Sequence, residues 1–307
     1  MHAISRKGSP VRRMPSECET LTIRGVRYNL RRWGRKDAKP ILFLHGTQDS
    51  SITFQFVVDC LREEWCVLAP DWRGHGHSSW VSQGYWLHEF VADLDVLIDI
   101  LFPGGAVPIV GHSLGGNIGG VFAGLRPNRL THLVSLDGFG PLVGSVPVDV
   151  KTILRTYFDM PKRRRQHSEY TTIAEVASRL MRANSRLTSE QALFLAEHST
   201  TAGHDGRRRW LFDPSYKIAL PTLHHMAEWA SVWAEIRVPV CWISSGDTRP
   251  SAPLNTPGEL ERRAGMIHAV RYETIPGTGH NVHHDAPNEV AGTIEEFLSG
   301  TERRQFR

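Results

Sequence analysis

The stretch "AVPIVGHSLGG" runs from Ala106 to Gly116. An apolar run, Ala106 to Val110, leads into Ser113, which has a glycine two residues to either side, Gly111 and Gly115. A flexible loop needs no buried strand before it. After it, Gly116 to Leu125 reads as a helix. The glycines therefore mark a tight strand-to-helix turn, where a side chain would collide with neighbouring backbone. Strand, bend and helix in that order are the repeating unit of a parallel sheet.

Working outward, "PILFLHG" (Pro40 to Gly46), "WCVLAPD" (Trp65 to Asp71), "LTHLVSLDG" (Leu130 to Gly138), "VPVCWISSG" (Val238 to Gly246) and "AVRYETIPG" (Ala269 to Gly277) are further apolar runs stopped by turn residues. Runs apolar at every position suit strands covered by helices on both faces. "CETLTIRGVRYNLRRWG" (Cys18 to Gly34) reads as a hairpin turning at Arg24-Gly25. Phe90, Val91, Leu94, Leu97, Ile98 and Leu101 share one helical face, as do Val290, Ile294, Phe297 and Leu298 before Gly300. The expected fold is α/β: a doubly wound, mostly parallel sheet of about eight strands, opened by an antiparallel hairpin.

The alternation breaks over residues 141–232. No strand pattern appears there. "TIAEVASRLMRAN" and "SEQALFLAEHS" read as helices, with Thr188 and Gln191 spaced as a capping box. "TTAGHDGRRRW" reads as a connection. A helical insertion is expected over the strand ends, where open sheets bind ligands. The core is then 17–140 plus 233–300, with tails at 1–16 and 301–307, the first of them disordered.

The 307 residues carry a formal charge of +4 and are 40% hydrophobic, an ordinary soluble composition. From Leu142 to Val232 there are 13 Lys/Arg against 9 Asp/Glu, so the basic excess lies in the insertion. It reads as solvated surface. The clusters "PKRRRQ" (Pro161 to Gln166) and "GRRRW" (Gly206 to Trp210) accompany no recognised nucleic-acid module, so no nucleic-acid partner is expected. No apolar run approaches 18 residues, so no membrane span is expected. The N-terminus lacks a secretory pattern, and Cys18, Cys60, Cys66 and Cys241 show no metal or disulfide spacing. A cytoplasmic protein with reduced thiols is expected.

The pattern G-x-S-x-G at a strand-to-helix turn exposes the serine hydroxyl at the edge of a sheet. A serine hydroxyl needs a base to attack at neutral pH. "GTGHNVHHDAP" (Gly277 to Pro287) offers His280, His283 and His284. His280 directly follows the strand-end loop, so position selects it. The orienting acid is Asp247, after "CWISSG", or alternatively Asp137, after "LVSL". Both fit the chain order serine, acid, histidine. Asp247 is preferred because one helix and one strand then separate it from His280. Acyl transfer also needs two donors for the oxyanion. Backbone N–H groups of Thr47, in "LHGTQDS", and Leu114 fill that role, with Gln48 as an accessory pocket residue.

Taken together, "LHGTQDS", "PDWRGHGHS" (Pro70 to Ser78), "GHSLGG", "SLDGFGP" (Ser135 to Pro141), "SGDT" and "GTGHNVHHDAP" resemble an α/β-hydrolase of the cap-bearing serine-hydrolase type. The resemblance covers roughly residues 20 to 300 and is weakest across the insertion. It implies Ser113 as nucleophile, His280 as base and Asp247 as acid. Some relatives take the acid from the preceding strand, the place of Asp137. The loop at Asp247 is shorter than the common glycine-x-x-aspartate form. The resemblance also makes "DWRGHGHSSW" a structural turn, and Asp71, His75 and His77 lack the second cluster that a metal site would need. Trp210 and Trp229 are candidate pocket residues.

The expected activity is hydrolysis of a carboxylic ester or related small acyl compound, with no metal and no cofactor. Thioester, lactone or carbon–carbon (diketone) hydrolysis on the same residues are the alternatives. A non-catalytic ligand-binding protein of the same fold is the alternative of a different class.

Overall fold

Ile41 and Phe43 turn to one face of their strand, and Leu42 and Leu44 to the other, and all four are fully buried. Successive side chains of a strand point to opposite faces, so this segment needs apolar cover on both. The computed structural model describes residues 13–82, 85–140, 150–159, 167–217, 226–247, 256–268 and 270–300. Two separate core clusters form, one on each face. One gathers Leu42, Leu44, Ile109, Ile118 and Phe122. The other gathers Ile41, Phe43, Val110, Ile243 and Ile294.

In chain order the strands are β1 (Ser16–Ile23), β2 (Val26–Trp33), β3 (Lys39–Leu44), β4 (Trp65–Pro70), β5 (Val107–His112), β6 (Leu130–Leu136), β7 (Thr200–Ala202), β8 (Arg208–Trp210), β9 (Val240–Ser245) and β10 (Val270–Ile275). Eight of them form one sheet in the order β1-β2-β4-β3-β5-β6-β9-β10. β1 and β2 are antiparallel, β2 runs antiparallel to β4, and all remaining pairs are parallel. The hairpin turns at Arg24 and Gly25, both at positive φ, as a two-residue primed turn requires. The fold class and the eight main strands match the expectation.

Winding reverses between β3 and β5. β4 lies on one side of β3, while β5 lies on the other. This is the topological switch point, where a crevice opens at the carboxyl ends of the strands. Leu44 pairs with Gly111, so the loops after β3 and β5 leave the sheet side by side.

Between β6 and β9 the described chain contains the helices Val150–Asp159, Ile173–Ala183 and Ser189–His198. The Thr188–Gln191 capping box forms as its spacing predicts. The expectation that this region lacks strands fails, because β7 and β8 pair as an antiparallel hairpin. Three-residue strands are too short for a period of two to register. A small core of its own, including Val176, Ala177, Leu187, Ala192 and Leu195, takes in Phe56 from the sheet domain.

Two segments at the expected boundaries also pack on the sheet domain. Helix Met226–Trp233, assigned to the insertion, packs on helix Leu114–Leu125: a Cβ on Gly124 would meet the Val232 carbonyl oxygen at 2.2 Å. Met14, assigned to the tail, donates its amide to Asp59 at 2.7 Å and accepts from Gln55 at 2.9 Å. Residues 1–12 and 301–307 of the tails, and the basic run 161–166, lie outside the described residues.

Candidate active site

β5 ends at His112, and helix Leu114–Leu125 begins one residue after Ser113. The bend forces Ser113 to φ 50° and ψ −111°. Non-glycine residues held in such regions store on the order of 1–3 kcal/mol and cluster at functional sites. Glycine is required on both sides of the bend. A Cβ on Gly111 would lie 2.4 Å from the Gly115 carbonyl, and one on Gly115 would lie 2.0 Å from the Leu44 oxygen. Among the described residues, positive φ at a non-glycine occurs at Arg24 in the hairpin and at Gln48, Ser113 and Asp137. The last three all follow β3, β5 or β6 at the switch-point end of the sheet.

The loop after β10 carries His280 back over Ser113. The imidazole Nε2 lies 3.0 Å from Ser113 Oγ, and its Nδ1 lies 2.8 Å from Asp137 Oδ2. Nδ1–H donates to the carboxylate, which leaves Nε2 to accept from the serine hydroxyl. Asp137 is completely buried. Its carboxylate also accepts from the Ser245 amide at 2.9 Å and from the Ser245 hydroxyl at 3.0 and 3.1 Å. Buried carboxylates persist when paired and hydrogen-bonded in this way.

Asp247 is not the partner of the imidazole. Its carboxylate faces outward and binds Arg186 at 2.7 Å, with 46% of the side chain exposed. The glycine before it explains the direction. Gly246 is pressed against the end of β10, where a Cβ would meet the Ile275 oxygen at 2.7 Å. The chain then leaves the sheet, with the Asp247 amide bound to the Thr278 carbonyl. The preference for Asp247 as acid is corrected in favour of the alternative, Asp137.

Leu114 is the first residue of its helix, so its N–H has no intrahelical acceptor. Thr47 follows Gly46, whose added Cβ would lie 3.2 Å from Ser113 Cβ. The two amides thus belong to segments that meet at Ser113. Gln48, Trp210, Tyr170, Phe212, His167 and Arg179 help line a cavity of about 590 Å³ between the β3 loop and the insertion. Trp229 does not join them. It is buried against Trp233, with ring centroids 5.5 Å apart, in the core beneath the elbow helix.

Several supporting residues escaped the sequence reading. His112 Nε2 donates to the His280 carbonyl at 2.9 Å, fixing the backbone of the candidate base. Burial, together with the neighbouring His280, keeps the His112 imidazole well below its usual range. Ser245 was visible only as one of two serines ending β9. Asp285 Oδ2 accepts from the Gly279 amide at 2.7 Å and closes the histidine loop. Asn184, Arg186 and Gln191 of the insertion hydrogen-bond to Asp285, the Gly277 carbonyl and the His284 carbonyl. The insertion is therefore latched to the loop that carries His280.

The segment after β4 organises a turn. Asp71 accepts from the Ser51 and His77 amides and from Asn29 Nδ2, while His75 Nδ1 donates to the Arg73 carbonyl. The arginines at and just before β8 are likewise engaged. Arg207 and Arg209 pair with Glu169, Arg209 also with Asp205, and Arg208 donates to Thr200. The four cysteines are free thiols, with Cys66 and Cys241 buried. Burial pushes the Cys241 thiol up to about 12. No helix among the described residues is long and apolar enough to cross a membrane.

The chain is 28% identical over 278 residues to a serine hydrolase-like protein of Danio rerio, covering 87% of this chain and 83% of that one. It is 26% identical over 302 residues to a serine hydrolase-like protein of Mus musculus, covering 89% and 93%. Among solved structures, a thioesterase domain from the curacin biosynthetic pathway superposes with a TM-score of 0.82 at 26% identity, covering 92% of this chain and 99% of that one. The family model for the alpha/beta hydrolase fold matches residues 39–287. With the switch-point crevice, the elbow and that match over most of its length, the chain belongs to the alpha/beta hydrolase fold family.

Proposed function

We propose that this protein is a serine hydrolase that cleaves a small carboxylic ester or related acyl compound through an acyl-enzyme on Ser113. The observation that carries the reading is the continuous chain Ser113 Oγ, His280, Asp137, with contacts of 3.0 and 2.8 Å. His280 takes the hydroxyl proton as Ser113 attacks the carbonyl carbon. Asp137, anchored by Ser245, holds the imidazole tautomer and stabilises the imidazolium. The Thr47 and Leu114 amides receive the developing oxyanion, and each donor contributes about 3 kcal/mol of transition-state stabilisation. His280 then gives its proton to the leaving group and activates water to release the acyl group. The core is 17–140 plus 233–300, and the insertion over 141–232 caps the crevice, with Gln48 and Trp210 on the acyl pocket.

A thioester is the second reading, favoured by the likeness to the curacin thioesterase domain. One experiment tests the mechanism and another separates the substrates. A fluorophosphonate probe should label the wild-type protein and leave Ser113→Ala unlabelled; equal labelling of both, or of neither, sinks the proposal. Chromogenic esters compared with thioesters of the same acyl chain then rank the two substrate classes by kcat/KM.

A further inference from the structure

Behind the base lies a second polar cluster that the hydrolytic mechanism does not use. Asp49 comes from the β3 loop, and His283 and His284 from the short helix Val282–Asp285. One ligand-type atom from each lies within 4.8 Å of the others. Both histidines are buried, and Asp49 is half-buried. Thr53 sits among them, its hydroxyl oxygen 2.9 Å from His283 Nε2 and 2.6 Å from His284 Nε2. The same hydroxyl also serves the Asp49 carboxylate. One hydroxyl has one proton and two lone pairs, so three groups depend on a single small side chain.

The cluster is short of partners. The Nδ1 atoms of His283 and His284 are buried with no hydrogen bond, and so is that of His112. The three rings follow one another in a row, with centroids 4.2 and 4.0 Å apart and planes tilted by 49° and 50°. Asp49 receives the Ser50 amide at 2.8 Å. No cationic side chain pairs with it among the described residues. Buried polar groups left in this state call for an explanation.

We propose that Asp49, His283 and His284 form a binding site for one divalent transition-metal ion of the zinc class. Two imidazoles and one carboxylate are a donor set suited to zinc, cobalt or nickel. Calcium and magnesium prefer all-oxygen sites. Three protein ligands are also a common number for a zinc site that keeps a further position for water or a hydroxyl, and the Thr53 hydroxyl lies within hydrogen-bond reach of both imidazoles. The ion supplies the countercharge that Asp49 lacks. It also joins the β3 loop, which carries Thr47, to the helix that directly follows His280. This site is separate from the Asp71, His75 and His77 turn, where the Asp71 carboxylate already accepts from the Ser51 and His77 amides and from Asn29.

The test uses the full-length protein stripped of metal with a chelator and dialysed against Zn²⁺ or Co²⁺. The wild type should take up one equivalent, show the visible absorption of a low-coordinate Co²⁺ site, and melt at a higher temperature with Zn²⁺ than without. Asp49→Asn, nearly isosteric and uncharged, should weaken the affinity more than about 100-fold, beyond what changes outside the ligand set cost, and should abolish the thermal shift. His284→Gln, which retains a hydrogen-bonding group toward Thr53, should do the same and serves if the first variant fails to fold. The proposal is overturned if the wild type takes up no stoichiometric metal. It is equally overturned if both folded variants bind as tightly as the wild type, since surface histidines then hold the ion.

Discussion

β6 and β9 lie side by side, run parallel and are each followed by an aspartate. β6 reads "LVSLD" up to Asp137, and β9 reads "CWISSGD" up to Asp247. Their surroundings differ. Asp137 follows its strand directly, at φ 51°, and its amide is bound to the Ile243 carbonyl. Its side chain is fully buried between Ser245 and His280. Asp247 comes one glycine later. That residue carries the chain past the crevice, and the carboxylate points into solvent toward Arg186. A buried carboxylate at a crevice can orient a base in low dielectric, where its field is strong. An exposed one in an ion pair is screened and contributes little. Being an aspartate at the end of a strand is therefore not what fits a residue for the role. One residue of displacement along the chain and a neighbouring serine make the difference.

The largest expected effect is on turnover. Asp137→Asn should lower kcat on a chromogenic ester about 10⁴-fold, because the amide favours the wrong imidazole tautomer. Asp247→Asn should stay within a small factor of wild type. Steady-state kinetics on the two variants breaks the comparison if the second is the inactive one.

A smaller effect concerns pH. The buried side of the sheet end is rich in imidazoles held neutral, while the Asp247 side faces water. Burial holds His45 and His284 down at about 4 and His75 at about 3, and holds His112 and His283 well below the usual range. Below the ordinary value of 6.5 the unfolded chain binds these protons and the folded one does not. Stability is therefore complete above about pH 6.5 and falls as the pH drops toward 4, by about 1.4 kcal/mol per pH unit for each imidazole that must charge. Asp49, raised to about 6, works in the opposite direction over the acid part of this window, but it is a single group. Urea midpoints at pH 7, 6 and 5 should fall in that order; a flat profile contradicts the burial of these rings.

The smallest effect sharpens the exposed half. Arg186→Gln removes the ionic partner of Asp247, and a surface pair of this kind contributes less than about 1 kcal/mol. A urea-denaturation loss well above that figure shows that Asp247 and Arg186 hold the insertion to the histidine loop more firmly than an exposed ion pair can.

Much of this molecule is legible along the chain. Runs such as "PILFLHG" carry apolar residues on both faces, so they can only be strands inside a two-sided sheet. The glycines around Ser113 mark a bend that backbone sterics forbid to other residues. The position of His280 after the last strand follows from the same logic. Other features are not legible. β7 and β8 are three residues each, and Trp229 has the same aromatic character whether it lines a pocket or fills a core. Thr53 and Ser245 are ordinary hydroxyl residues until the fold brings them to His283, His284 and Asp137 from 230, 231 and 108 positions away.

By itself the sequence determined the sheet, the elbow and the positions of the candidate nucleophile and candidate base, because these depend on local patterning and short-range sterics. Only the tertiary structure decided between Asp137 and Asp247. Both satisfy the same chain order and the same local pattern. What separates them is desolvation and direction, and those exist only once β6, β9 and the loop after β10 have come together.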